Sequence, residues 1–342
     1  MIITDHLEGQ LSTSNADAGW TPQDLELVAK QTAQMARLAF ADDRQAAEEL
    51  HRTAYRIFLG SHRPPWTDAA LDILDPPIAM FLWIFAREWD HADRERHEAV
   101  LREIPTEPAA YADWVVDLVR GHASNVQHPL FGFLAEEATH AQLREFFRQE
   151  TPLDLYFADM LIALAPGIYG GPKLEIAHNF WDEMGAGDPA KTHRALRLQM
   201  MDRLELSESD HEANAEDFLL EEIELANAYF VGAAVRSYAT QLTGMLLATE
   251  SMAPGRLSRQ IEGWRRVGLR DEDMTYLLEH TVVDVEHAED WMQEVIQPIV
   301  ADRAEATRSI TLGALRRLDI AGRICDRMMP HLQAAIAETV PA

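Results

Sequence analysis

His280, Asp284 and His287 fall at i, i+4 and i+7 of the stretch Glu279-His-Thr-Val-Val-Asp-Val-Glu-His-Ala, a spacing that puts all three on one face of an α-helix. Two imidazoles and a carboxylate aimed into one space can coordinate a transition metal such as iron, with room for ligands from other helices. An acidic, histidine-bearing chain also produces such triplets as solvated polar stripes, so the pattern alone leaves both readings open. Glu250 is a second signal. It closes the largely apolar segment that begins at Tyr238, where a carboxylate buried without a partner is costly. The alternative is an exposed helix-terminal acid at the Ser-Met-Ala-Pro-Gly turn. Glu183 stands beside the glycine-rich break Gly185-Ala-Gly-Asp-Pro189, with His193 following ten residues after it.

Positioning such groups needs several helices, and the chain supplies them. Asp24 to Leu38, Ala46 to Leu59, Asp113 to Arg120 and Asp217 to Thr249 carry apolar residues at three-and-four spacing with few β-branched runs, which predicts an all-α protein. Thr21-Pro22-Gln23-Asp24 reads as a helix start, with an N-cap, a proline at the first helical position and an acidic first turn. Breaks are expected at Ser61 to Trp66, Asp75-Pro-Pro77, Ile104-Pro105, Ala165-Pro-Gly167, Gly170-Gly-Pro172, Gly185 to Pro189 and Ala253-Pro-Gly255. A polar stretch from Gly121 to His128 marks an expected domain boundary.

Composition removes several function classes. With 30 Lys+Arg against 57 Asp+Glu, the formal charge of −27 repels nucleic acid and anionic membrane surfaces. There is no apolar run of spanning length and no basic amino-terminal segment, so no membrane partner and a cytoplasmic location are expected. One cysteine, Cys325, excludes an internal disulfide framework, a Cys-rich zinc site and a Cys-ligated iron–sulfur cluster. Any metal has to be held by histidine and carboxylate. The Glu-x-x-His pair of ferritin-like diiron proteins occurs five times, as Glu48/His51, Glu88/His91, Glu137/His140, Glu175/His178 and Glu208/His211. That abundance makes each pair weak evidence.

Three blocks resemble the haem-oxygenase-like diiron oxidases, also described as iron-containing redox enzymes. Glu279 to Ala288 resembles the family's His-x-x-x-Asp-x-x-His helix, Leu246-Leu-Ala-Thr-Glu250 the helix end that donates a glutamate, and Asn179 to His193 its Asn-Leu-x-Glu-Glu-x-Gly block. Phe146-Phe-Arg-Gln-Glu150 is the best match to the segment carrying the first glutamate, although Thr151-Pro152 stands where an aromatic pair is usual. The resemblance implies metal ligands at Glu150, Glu183, His193, Glu250, His280, Asp284 and His287. His178 is the alternative to His193, and Glu145 or Glu137 the alternative to Glu150. It covers roughly Asn125 to Leu332 and implies a seven-helix haem-oxygenase-like bundle over residues 121–342. Residues 1–120 are left as an N-terminal helical extension without a chemical motif, with dimerisation as their candidate role.

The function implied is an O2-dependent non-haem diiron oxidase or oxygenase with two Fe(II) ions, O2 as co-substrate and a peroxo-diiron(III) intermediate. A small-molecule substrate, an external electron donor and a homodimer are the expected partners. An amine or amino acid is the expected substrate, oxidised by N-oxygenation or C–C cleavage, with oxidative decarboxylation of a fatty acid as the alternative. Arg236, a lone cation in an apolar segment, and Tyr229 are the candidate substrate contacts, Arg236 as a carboxylate clamp or as the ion-pair partner of Glu222 or Glu224. Phe180, Trp181, Met184, Phe230, Met245 and Met274 are candidate apolar neighbours of the site or plain helical core. Three other readings remain: a ferritin-like diiron protein, a metal-free helical interaction protein, and a thiaminase-like relative, which would need a nucleophilic cysteine near the active centre whereas Cys325 lies in the last helix, far from the motif blocks.

Overall fold

The computed structural model describes residues 20–67, 70–209 and 215–337, with the side chains of 282–285 and 335–337 outside the description. Among the described residues there are sixteen α-helices and no strand, so the protein is all-α. The first five are α1 (Pro22–Ala39), α2 (Arg44–Ser61), α3 (Pro76–Arg96), α4 (Glu98–Arg102) and α5 (Pro108–Arg120). There follow α6 (Pro129–Glu136), α7 (His140–Gln149), α8 (Thr151–Asp154), α9 (Phe157–Ile162), α10 (Gly171–Glu183) and α11 (His193–Arg203). The last five are α12 (Leu220–Ala234), α13 (Ala239–Arg266), α14 (Thr275–Asp290), α15 (Gln297–Asp302) and α16 (Ala306–Ala337). Among the described residues, 121–337 hold eleven α-helices, more than the seven expected, with α6, α8, α9 and α15 the short ones.

Local chemistry sets most boundaries. Thr21 accepts from the Asp24 amide at 3.2 Å while the Asp24 carboxylate accepts from the Thr21 amide at 3.1 Å, a reciprocal capping box. Prolines open α1, α3, α5, α6 and α10, where a missing amide proton costs nothing. Two expectations fail. The segment from Asp217 to Thr249 is not one helix, since Val235 turns extended and a 3-10 turn, Arg236–Tyr238, separates α12 from α13. Conversely Ala253-Pro-Gly255 is no break: α13 runs through Pro254 to Arg266. A proline there forfeits one bond, the one its amide would have made to the Glu250 carbonyl, and packing on several sides outweighs that loss.

α13 is the axis of the fold, packed against α16, α14, α6 and α12. Its closest approach is to α16, where Gly244 faces the Ile310 carbonyl and Gly313 faces the Gln241 carbonyl so tightly that a Cβ on either would overlap the opposing backbone. Trp264 and Trp291 are fully buried, and the Trp291 indole donates to the Thr243 carbonyl at 3.0 Å, tying the segment after α14 to α13. Each such side chain contributes roughly 1.5–3 kcal/mol by leaving water. One apolar core takes in Val28, Phe58, Phe85 and Trp89 from the first helices as well as Leu246, Ile310 and Leu332. The helices before residue 121 therefore share the core of those after it. Among the described residues no helix is long and apolar enough to cross a membrane.

Candidate metal centre

Three helices deliver the central cluster. Glu183 is the last residue of α10, His193 the first of α11, held by the Thr192 N-cap, and His280 lies one turn into α14. One donor atom from each lies within 4.8 Å of the others. The His193 and His280 rings are 4.3 Å apart, centre to centre. His280 Nδ1 lies 2.6 Å from the Tyr276 carbonyl; a carbonyl only accepts, so Nδ1 carries the proton and Nε2 keeps its lone pair. Burial, and then the neighbouring His193, pull the His280 imidazole down to about 4, which keeps it neutral near pH 7.

His193 Nδ1 sits 3.0 Å from a Glu183 carboxylate oxygen without meeting the directional requirement of a hydrogen bond, and it is buried with no other partner. Burial opposes charge on both, yet their mutual attraction holds the Glu183 carboxyl below its ordinary value and the His193 imidazole above its own.

Glu250 lies in the middle of α13 and is buried, so it is not an exposed helix-terminal acid. Burial, reinforced by Glu183, pushes its carboxyl up to about 8. Its neighbour is His287, whose Nδ1 is 3.8 Å from the Glu250 carboxylate and whose Nε2 is 3.2 Å from Asp182. His280 and His287 thus fall on one face of α14; Asp284 shares their helix, but its side chain lies outside the described residues.

Glu150 occupies the junction between α7 and α8, where Thr151-Pro152 starts a new turn instead of extending the old helix. It accepts from Gln260 at 3.1 and 3.3 Å. Burial and the nearby Asp154 push its carboxyl up to about 7. Glu150, Glu183, His193, Glu250 and His280 all line one cavity of about 120 Å³. The alternatives are elsewhere. Glu145 is held by Arg148, Gln149 and His331, Glu137 is exposed, and His178 lies on the exposed side of α10 near Glu175 and Asp182. Among the described residues no member of a Glu-x-x-His pair lines the cavity, and His211 lies outside the description.

The candidate substrate contacts fare differently. Arg236 is exposed in the turn after α12 and is not at the cavity, because α12 has ended two residues earlier. Tyr229 is fully buried behind the cavity; its hydroxyl reaches the Met245 carbonyl at 3.2 Å and Thr249, which lines the cavity. Trp181 is 52% exposed, whereas Phe230 packs on Phe58 in the core. Residues that spacing did not reveal complete the lining. Asp154 accepts from Arg197 at 2.5 Å and from Tyr276 at 3.2 Å, both on Oδ2, and Arg256 and Arg317 bring two more guanidiniums. Cys325 is buried 3.4 Å from Arg256 and so lies nearer this centre than its place in the last helix implies; burial pushes its thiol up.

A model of the iron-containing redox enzyme family matches residues 144–322, just over half of the 342-residue chain. The chain belongs to that family. Its fold is haem-oxygenase-like, and as a family member it is an iron-dependent oxidoreductase. No curated protein matches this sequence. The residues present fit iron: the central donors are imidazoles and carboxylates with no thiolate, suited to a borderline transition metal, and the orphaned His193 Nδ1 has no other buried partner.

Proposed function

We propose that this member of the iron-containing redox enzymes is an O2-dependent non-haem diiron oxidase or oxygenase. Its substrate is a small amine or amino acid, oxidised by N-oxygenation or C–C cleavage. The observation that carries the reading is the convergence of Glu183, His193 and His280 from three helices on a cavity that Glu150 and Glu250 also line. Glu150, Glu183, His193, Glu250, His280, Asp284 and His287 would hold two Fe(II) ions, the four carboxylates matching their formal charge. Bound there, iron would supply the electrons that reduce O2.

The chain's own contribution is positional. The Tyr276 carbonyl fixes the His280 tautomer, and Gln260 orients Glu150. Phe157, Ala253 and Leu257 close the cavity with apolar surface, limiting water around the reacting groups. At about 120 Å³, the space is well below the 300–1,000 Å³ usual for drug-sized ligands. That size favours a small amine or amino acid over a fatty acyl chain. An external electron donor and homodimer assembly belong to the same proposal.

The test is anaerobic Fe(II) titration followed by rapid mixing with O2. Two iron ions per chain and a transient visible absorbance, both lost in His280→Ala and Glu250→Ala, support the reading. Unchanged iron uptake in both variants removes the proposed ligand set.

A further inference from the structure

Arg317 is an unusual residue for a cavity lined so heavily by acids. It lies on α16, is 93% buried by its 7% exposure, and makes no ion pair among the described residues. Its Nε donates to the neutral Thr249 hydroxyl at 3.0 Å, and its Nη1 is buried with no partner. Arg256, across on α13, has the same character: Nη2 lies 3.4 Å from the Cys325 sulfur, the guanidinium stacks over Phe131 at 4.6 Å, and Nε is buried without a partner. Both line the cavity that holds Glu183, His193 and His280. Leaving a guanidinium desolvated without a paired anion is costly, and among the described residues no carboxylate comes within ion-pair distance of either one.

Neighbouring acids do not account for the pair. Asp154 is engaged by Arg197 and Tyr276. Glu222, buried where both Arg256 and Arg317 favour its ionised form, is nonetheless pushed well above the ordinary range, first by its own burial and then by Glu150 and Asp154. Glu150, Asp154 and Glu222 attract these guanidiniums only from a distance, and among the described residues none of the three makes an ion pair or hydrogen bond with Arg256 or Arg317. In the same lining, Asp154 Oδ1 makes no hydrogen bond among the described residues, since both of its partners sit on Oδ2. The cavity therefore offers donors to an anion and an acceptor to a cation within about 120 Å³, the complement of a small zwitterion.

We propose that Arg317 and Arg256 bind the carboxylate of an α-amino acid substrate, with Asp154 Oδ1 receiving its ammonium group. The assignment rests on the oxidase reading only in taking the same cavity as the substrate site. It replaces the exposed Arg236 as the carboxylate clamp and excludes simple amines as preferred substrates.

The experiment is anaerobic titration calorimetry on the full chain, with and without Fe(II), using the twenty L-amino acids as probes. For each one that binds, its decarboxylated amine and its primary amide are titrated too. The expected result is that at least one amino acid binds and that its amine and amide bind about 10- to 100-fold more weakly, the loss of charge-assisted hydrogen bonds to a guanidinium. Arg317→Met weakens the amino acid by a similar factor and leaves the amine unchanged. Arg317→Lys is intermediate, and it decides the matter if the methionine variant does not fold. Binding of no amino acid, an amine that binds as tightly as its amino acid, or an Arg317→Lys affinity within twofold of wild type overturns the clamp. Iron counted in the same samples separates the two readings. Wild-type chain that takes up no iron refutes the oxidase, whereas iron uptake with carboxylate-independent binding refutes the clamp alone.

Discussion

Glu145 and Glu150 lie five residues apart near the end of α7, in opposite surroundings: Glu145 is held by His331, Arg148 and Gln149, and Glu150 lines the cavity. Burial pushes the Glu145 carboxyl up, but hydrogen bonds from His331, Arg148 and Gln149 outweigh it and hold it at about 2. Holding a carboxyl at about 2 instead of the ordinary 4.5 is worth roughly 3 kcal/mol at neutral pH. The side chain is 18% exposed, and glutamine keeps part of the hydrogen bonding, so Glu145→Gln should cost about 1–2 kcal/mol. The folded value is depressed, so this stability is present above pH 4.5 and is lost as pH falls through about 2. The gap between wild type and Glu145→Gln should therefore be constant from pH 6 to 8 and shrink below about pH 4. Urea unfolding of the metal-free chain across that range measures it, and Fe(II) titration of the same samples should find iron uptake intact. Glu150→Gln should do the reverse, lowering iron uptake without that acid-dependent loss of stability. The reasoning is refuted if Glu145→Gln loses iron while Glu150→Gln retains it.

Other outcomes follow from the same structure. Gly244→Ala or Gly313→Ala should destabilise the chain by about 1–3 kcal/mol or prevent its folding, because a methyl overlaps the facing carbonyl between α13 and α16; chemical denaturation reads this directly. His193→Ala should lower iron stoichiometry, whereas His178→Ala, on the exposed side of α10, should leave it unchanged by metal analysis. Arg236→Ala should keep iron uptake and O2 reactivity within about twofold of wild type, since an exposed turn residue contributes little.

Much of the frame is legible in periodicity and punctuation. Thr21 with Asp24 announces the first helix through a local hydrogen-bond pattern, and prolines 22, 76, 108, 129 and 172 mark starts that need no tertiary information. The one-face arrangement of His280 and His287 is likewise a property of helix geometry alone. Pro254 misleads because its local cost is outweighed by packing around α13, which no window of sequence contains. The site is legible only in part. Glu183 and His193 are drawn together by a break whose glycines adopt positive φ at Gly185 and Gly187, and the gap of ten residues hints at that. Arg317 and Asp154 carry no local mark, since they reach the cavity through helix crossings more than a hundred residues apart in sequence. Arg236 stands out in the sequence as a lone cation in an apolar run, yet Val235 turns extended and leaves it exposed. Arg317, a buried cation inside α16, is the stronger candidate, and only the assembled helices bring it to the cavity.

The central claim is that this family member builds a two-iron centre from the residues around Glu183, His193 and His280. Crystals grown anaerobically with Fe(II), and measured on both sides of the iron absorption edge, test it most directly. The account predicts two anomalous peaks, one bonded to the Glu183, His193 and His280 cluster and a second involving Glu250 and His287. A single peak, none, or iron bound instead at Glu175 and His178 would contradict it.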